Sequence, residues 1–277
     1  MVRPHERCTS SSPPLHTVHE FKMATRTPTA PLASLETGAS TPPVVDRAAF
    51  KHQLLQLRAR EKAHTREGDA IAAARRRLPM VEVNSKTPLT GAGGETTLLA
   101  AFEGRKQLIV YFHMWHDGKA APEQCEGCTF FNGHVRELSV LQSRDVTYAT
   151  FSHGPWEQIR RYRDFLGLEA PWYHLSREAR DSITEDALVA FLRDGDKVFK
   201  TYATTGRGCE VMANSYGLLD LTVYGRQETS ENSPEGWPQP FGGIAGGNQF
   251  RSGNRPILQW PRLETGRPDH LEASSGD

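Results

Sequence analysis

Residues 107–131 read QLIVYFHMWHDGKAAPEQCEGCTFF. The segment opens on a continuous apolar run, Leu108-Ile109-Val110-Tyr111-Phe112, of strand length and without polar alternation. That is the pattern of a strand buried on both faces. A loop of polar and small residues, 116–124, leads into Cys125-Glu126-Gly127-Cys128. Beyond the pair, Phe131, Val135, Leu138 and Gln142 fall on one face at helical spacing, so the cysteines are expected at a strand-to-helix junction.

Working outward, Val146, Tyr148 and Thr150 alternate with their neighbours and predict a second strand. Pro155 suits the start of a helix with the stripe Ile159, Tyr162 and Leu166, capped by Gly167. Residues 187–193 and 197–203 flank Asp194-Gly195-Asp196, a strong hairpin signal. Val211, Met212, Ser215, Tyr216 and Leu219 suggest a closing helical turn. Strand, helix, strand, helix, hairpin and helix in that order is the thioredoxin topology. The expected fold class is α/β: a central mixed sheet flanked by helices.

The flanks read differently. Residues 1–45 are rich in Ser, Thr, Pro and Ala without an apolar period, and predict a disordered leader. Met23 is a second candidate start within it. Asp46 is a good N-cap for a helical extension over 46–80, with Phe50, Leu54 and Leu57 at helical spacing. The extension reads as one long helix or as a helical hairpin bent or split at Gly68; Pro79 is expected to stop it, and the whole to pack on the domain behind it. Arg75-Arg76-Arg77 at its end complements the helix dipole. The domain proper is expected over 81–228, with Leu89 to Gly94 as a turn, and a Pro- and Gly-rich tail over 229–277, draped on the domain or disordered.

Lys plus Arg number 33 and Asp plus Glu number 33, so no basic excess exists to grip nucleic acid or anionic lipid. No apolar run of membrane-spanning length is present, and the first 30 residues lack the core of a secretory signal. Four cysteines, Cys8, Cys125, Cys128 and Cys209, do not make a disulfide scaffold. The expected compartment is the cytoplasm.

A Cys-x-x-Cys pair at a helix start has a physical use. The helix dipole and free N–H groups stabilise a thiolate, and a second thiol one turn on can resolve a mixed disulfide. Cys125 is then the nucleophile and Cys128 the resolver, with a thiol or disulfide as partner and no cofactor implied. Glu126 opposes thiolate formation. Two other readings of the pair stay open: a zinc site completed by His113, His116 or His134, and inert thiols in a binding module. Trp115, Phe130 and Pro171-Trp172-Tyr173 read first as core. Thr204-Thr205-Gly206-Arg207-Gly208 reads as a structural turn rather than an anion loop. Cys209 has no sequence-near partner, and Cys8 is expected to play no part. Oligomeric state is not legible.

The chain resembles a thioredoxin-like bacterial family, domain of unknown function 899. The matching stretches are 61–81 (EKAHTREGDAIAAARRRLPMV), 107–115 (QLIVYFHMW), 123–131 (EQCEGCTFF) and 144–151 (RDVTYATF). They continue with 171–173, 191–198 (FLRDGDKV), 204–208 and 215–228 (SYGLLDLTVYGRQE), spanning roughly 46–262. The resemblance implies a thioredoxin-like fold with the cysteine pair where a redox dithiol would lie; it implies no known reaction. The sequence departs from thioredoxins in lacking a proline before the hairpin, where residues 182–186 are Ser-Ile-Thr-Glu-Asp. It also lacks the Pro-x-x-x-(Thr/Ser)-x-x-Cys pattern of peroxiredoxins, Pro122 being three residues before Cys125.

Overall fold

The computed structural model describes residues 41–228, 230–238 and 249–272. The leader through residue 40, including Cys8, lies outside the described residues.

The first element is α1, Arg47–Arg75, which Asp46 caps by accepting from the Ala49 N–H at 2.8 Å. It runs 29 residues without a break at Gly68 and buries none of them. The reading of a single long helix holds and no hairpin forms at Gly68, while the expectation that the segment packs on the domain is corrected. Gly68 has open space around it and no packing that would force a bend. The apolar positions are too sparse among charged ones to form a face that the domain could cover. The helix is tethered at its end instead, where the Arg75 guanidinium sits 4.5 Å over the Tyr202 ring. The Arg77 guanidinium donates back to the Ala73 carbonyl, meeting the expectation of positive charge at that end.

Eight strands form one sheet: β1 (Val81–Val83), β2 (Pro88–Gly91), β3 (Gly94–Thr97), β4 (Gln107–His113), β5 (Val146–Ser152), β6 (Trp172–His174), β7 (Leu188–Asp194) and β8 (Lys197–Thr204). Their spatial order is β1-β8-β7-β4-β5-β6-β2-β3. β4 runs parallel to β5, with Tyr111 opposite Thr150, and antiparallel to β7, with Tyr111 opposite Leu188. β7 and β8 make the expected hairpin, closed by Gly195 at φ 57°. Helices α2 (Glu126–His134) and α3 (Ser139–Gln142) connect β4 to β5, α4 (Trp156–Leu166) connects β5 to β6, and α5 (Arg177–Ile183) precedes β7. After β8 come a 3₁₀ stretch, Gly206–Met212, and α6 (Asn214–Leu219). The β8-β7-β4-β5 core with these crossovers is thioredoxin-like. The β2–β3 hairpin was not foreseen as strands; residues 89–94 supply its turn and part of both arms.

β4 explains why the sheet is buried on both sides. Its alternation sends Leu108, Val110 and Phe112 into one core with Phe151, Val189 and Phe191. Ile109 and Tyr111 point to the other, where Cys128, Phe131, Cys209, Met212 and Tyr216 gather under α2 and α6. A third cluster, with Trp115, Ile159, Tyr162, Phe165 and Trp172, lies against α4.

The helix after the cysteines is shorter than its spacing predicts. α2 ends at His134, Val135 leaves helical geometry at φ −90° and ψ 89°, and Gln142 is exposed. Arg136 accounts for the stop. Its guanidinium donates to the Gly133 carbonyl and to the Leu166 and Gly167 carbonyls at the end of α4, satisfying the free ends of two helices at once. Gly167 closes α4 at φ 64° as expected.

The described part of the tail folds back over the domain. It contains a small ladder, β9 (Arg251–Ser252) with β10 (Arg255–Pro256), and α7 (Trp260–Glu264). Gln259 is fully buried; its amide donates to the Ala121 carbonyl at 2.8 Å and to the Tyr162 hydroxyl at 2.7 Å. Replacing Gln259 with Ala removes a buried donor from the Tyr162 hydroxyl and from the Ala121 carbonyl, which keeps only the Gln124 N–H, and is expected to cost about 1–3 kcal/mol in urea unfolding. A loss below about 0.5 kcal/mol would show that the tail is not fastened through this residue.

Candidate active site at the start of α2

Cys125 is the N-cap of α2, and its sulfur accepts the Cys128 N–H at 3.4 Å. It occupies the position where a Ser or Asp oxygen ordinarily sits. Cys125 is partly exposed and Cys128 is buried; both are free thiols, as is Cys209. The Cys128 sulfur in turn accepts the Met114 N–H at 3.3 Å, just past the end of β4.

The two thiols are driven apart electrostatically. Cys125 is lowered to about 7, first by the Cys128 thiol donating to it, with the Cys128 N–H and His116 adding; burial and Glu126 oppose the shift. Cys128 is raised well above its ordinary value by its bond to Cys125, by burial and by the charge on Cys125. Above about pH 7 the pair therefore holds one proton between two sulfurs, with the charge on the partly exposed one.

The long approach loop is pinned by Gln124, which is fully buried. Its side-chain carbonyl accepts the His116 N–H at 3.0 Å, and its amide donates to the carbonyls of His116 and Lys119. The His116 Nδ1–H donates to the Glu123 carbonyl at 2.7 Å, which holds the ring in the loop. On the helix side, Thr129 donates to the Cys125 carbonyl at 2.8 Å and pairs with the Tyr162 hydroxyl at 2.6 Å, which receives Gln259. Asn132 accepts from the Tyr148 and Thr150 hydroxyls and fastens α2 to β5.

The tail completes the site. Arg251 donates to the carbonyls of Pro122 and Gln124 and meets the Glu126 carboxylate at 3.2 Å. Glu126 is thus partnered, and its opposition to the Cys125 thiolate is reduced rather than left at full strength. Phe250 stacks on Phe130 with ring centres 4.3 Å apart, and a Cβ on Gly127 would lie 3.6 Å from the Phe250 ring. No local signal around residue 251 announces these contacts; they join residues more than 120 positions apart.

The three histidines considered for zinc do not converge on the pair. His113 is sealed among Trp115, Tyr162 and Trp172, ring centres 5.2–6.4 Å away, and burial lowers it to about 3. His134 uses Nδ1–H on the Phe130 carbonyl, and its Nε2 faces the Ser215 hydroxyl at 2.8 Å. Among the described residues no group of three or more His, Cys, Asp or Glu is placed to hold a metal. Trp115 and Trp172 are core, and Arg207 binds Glu210 at 2.8 Å within the turn after β8. Cys209 is buried and raised to about 11 by that burial and by Asp186.

Residues 39–241 match the family model described as a bacterial protein of unknown function, DUF899. No curated protein matches. Among solved structures, a thioredoxin from Wuchereria bancrofti is 17% identical, with a TM-score of 0.33, covering 48% of this chain and 90% of its own. A bacterioferritin comigratory protein from Xanthomonas campestris, whose title concerns alkyl peroxide reduction, is 18% identical at a TM-score of 0.33, covering 48% and 94%. A peroxiredoxin Q variant from the same organism is 19% identical at 0.32, covering 50% and 97%.

Alkylation of Cys125 by iodoacetamide, followed by peptide mass analysis, is expected to rise through a midpoint near pH 7. Arg251→Ala frees the Glu126 charge and moves that midpoint upward, whereas Glu126→Gln moves it downward. An unmoved midpoint in Arg251→Ala would show that the guanidinium does not offset the carboxylate.

Proposed function

We propose that this chain, which belongs to the bacterial DUF899 family of unknown function, is a thiol–disulfide oxidoreductase with Cys125 as nucleophile and Cys128 as resolver. The observation that carries the proposal is the sulfur cap of α2: a partly exposed thiol that accepts the Cys128 N–H and is lowered to about 7, backed by a buried one raised well above its usual value. A nucleophile is most effective when its pKa lies near ambient pH, because a lower value weakens the attack and a higher one leaves too little thiolate.

The Cys125 thiolate attacks one sulfur of a partner disulfide, forms a mixed disulfide and releases the other half as a thiolate. The Cys128 sulfur then attacks Cys125, expels the remaining half, and leaves an intramolecular disulfide. Two electrons pass from the pair to the partner, and a reducing dithiol returns the pair to its starting state. The sequence before β7 lacks the proline that borders the substrate groove of thioredoxins, which weighs against disulfide exchange on their protein substrates, and it lacks the peroxidase pattern. Zinc is not supported, since His113 and His134 are committed elsewhere.

Mild oxidation of the purified chain is expected to remove two thiols, those of Cys125 and Cys128, without dimerisation. Cys128→Ser should accumulate a mixed disulfide at Cys125, and Cys125→Ser should react at least about tenfold more slowly with small disulfides. If the pair stays reduced while Cys125 remains open to alkylation, the oxidoreductase proposal is wrong.

A further inference from the structure

A disulfide within a protein does not present its sulfurs alone. Main chain flanks each of them, and a site that accepts such a disulfide lays that chain along its own surface, pairing free N–H and C=O groups with it. Two surfaces border the Cys125–Cys128 turn, and on both the backbone is already engaged.

One is the loop before β7. The Ala187 carbonyl accepts the Phe112 N–H at 2.7 Å, two residues before Met114, whose N–H reaches the Cys128 sulfur. The Thr184 N–H donates to the Arg180 carbonyl, the Asp186 N–H to the Thr184 hydroxyl and the Ala187 N–H to the Thr204 carbonyl. The Ile183 carbonyl accepts from Lys200 at 2.9 Å, and the Glu185 carbonyl from Arg180 at 3.3 Å. The other surface is the turn itself, which the tail straps. Arg251 donates to the Pro122 carbonyl at 2.7 Å and the Gln124 carbonyl at 3.4 Å in front of Cys125, and meets Glu126 just behind it. Phe250, at 7% exposure, stacks on Phe130 and leaves a Cβ at Gly127 only 3.6 Å from its ring. Further along, Gln259 fastens the strap to Ala121 and Tyr162.

Resting on the dithiol chemistry proposed above, we infer that the partner is a low-molecular-weight disulfide, and that Phe250 and Arg251 set this limit by closing the turn to a polypeptide. The Cys125 sulfur remains partly exposed, so a small molecule can bring a sulfur to it without needing the backbone on either side. In the reaction the Cys125 thiolate bonds one sulfur of the small disulfide and expels the other half as a thiolate. Cys128 then bonds Cys125 and expels the second half, which takes up the hydrogen that Cys128 gives up. The small disulfide is reduced by two electrons to two thiol equivalents, and the pair is oxidised to one disulfide.

The test follows the full reduced chain with two probes at equal disulfide concentration, bis(2-hydroxyethyl) disulfide and insulin. Peptide mass analysis reads the Cys125–Cys128 disulfide against time. The small probe is expected to oxidise the pair at least about a hundredfold faster than insulin, because a polypeptide enters only the small fraction of molecules whose tail is lifted. Arg251→Ala and Phe250→Ala should each narrow that ratio at least about tenfold. Both probes meet the same thiolate, so the ratio is blind to any change in its pKa. Gln259→Ala loosens the strap without touching either cysteine, and should narrow the ratio in the same direction. A parent chain that reacts with insulin as fast as with the small probe, or a ratio unmoved in all three variants, would overturn the inference and leave the dithiol chemistry standing. A pair that stays reduced with both probes while Cys125 still alkylates would overturn the oxidoreductase proposal, and this inference with it.

Discussion

The first turn of α2 leaves backbone N–H groups without intrahelical partners, and the atom that meets one of them is sulfur rather than oxygen. Sulfur is a weak acceptor when protonated and a good one when charged, so the cap is best made by a thiolate. Everything around the site follows from keeping that sulfur at that spot. Gln124 holds the loop before it, Thr129 holds its carbonyl, and Asn132 holds the helix to the sheet. Cys128 falls one turn on, on the face that meets β4, where the Met114 N–H reaches it and Tyr111 shares its core cluster.

The division of charge between two sulfurs is a matter of depth. A partly exposed thiolate at Cys125 keeps access to solvent and receives the Cys128 N–H, whereas the same charge one turn deeper would lose that access. Burial thus does more than protect Cys128. In the proposed dithiol chemistry it would also set the order, since the sulfur that is hard to ionise would attack only after the easy one has been consumed.

The central strands were legible because their signals are local. β4 is an unbroken apolar run, β7 and β8 flank a Gly-containing turn, and α4 carries both its stripe and its Gly167 cap. The sulfur pair was legible for the same reason. What local pattern could not give is where α2 stops, because Arg136 ends it by reaching to Leu166 and Gly167. Nor could it give the role of Arg251 and Gln259, whose partners lie more than ninety residues away. The apolar spacing at Phe50 and Leu54 looked like a packed helix face, yet spacing alone does not state whether a covering surface exists.

The placement of Phe250, Arg251 and Gln259 has a temporal side. A chain emerging from the ribosome presents β4, α2, β5 and the β7–β8 hairpin before these residues exist, and domains fold from the amino end as synthesis proceeds. The nascent sheet can thus form with its thiols uncovered and Glu126 still lacking its guanidinium counter-ion. The Arg251 contact to Glu126 is acquired last, so the final adjustment of charge beside Cys125 waits on the tail, whereas the cap that Cys128 supplies is already in place.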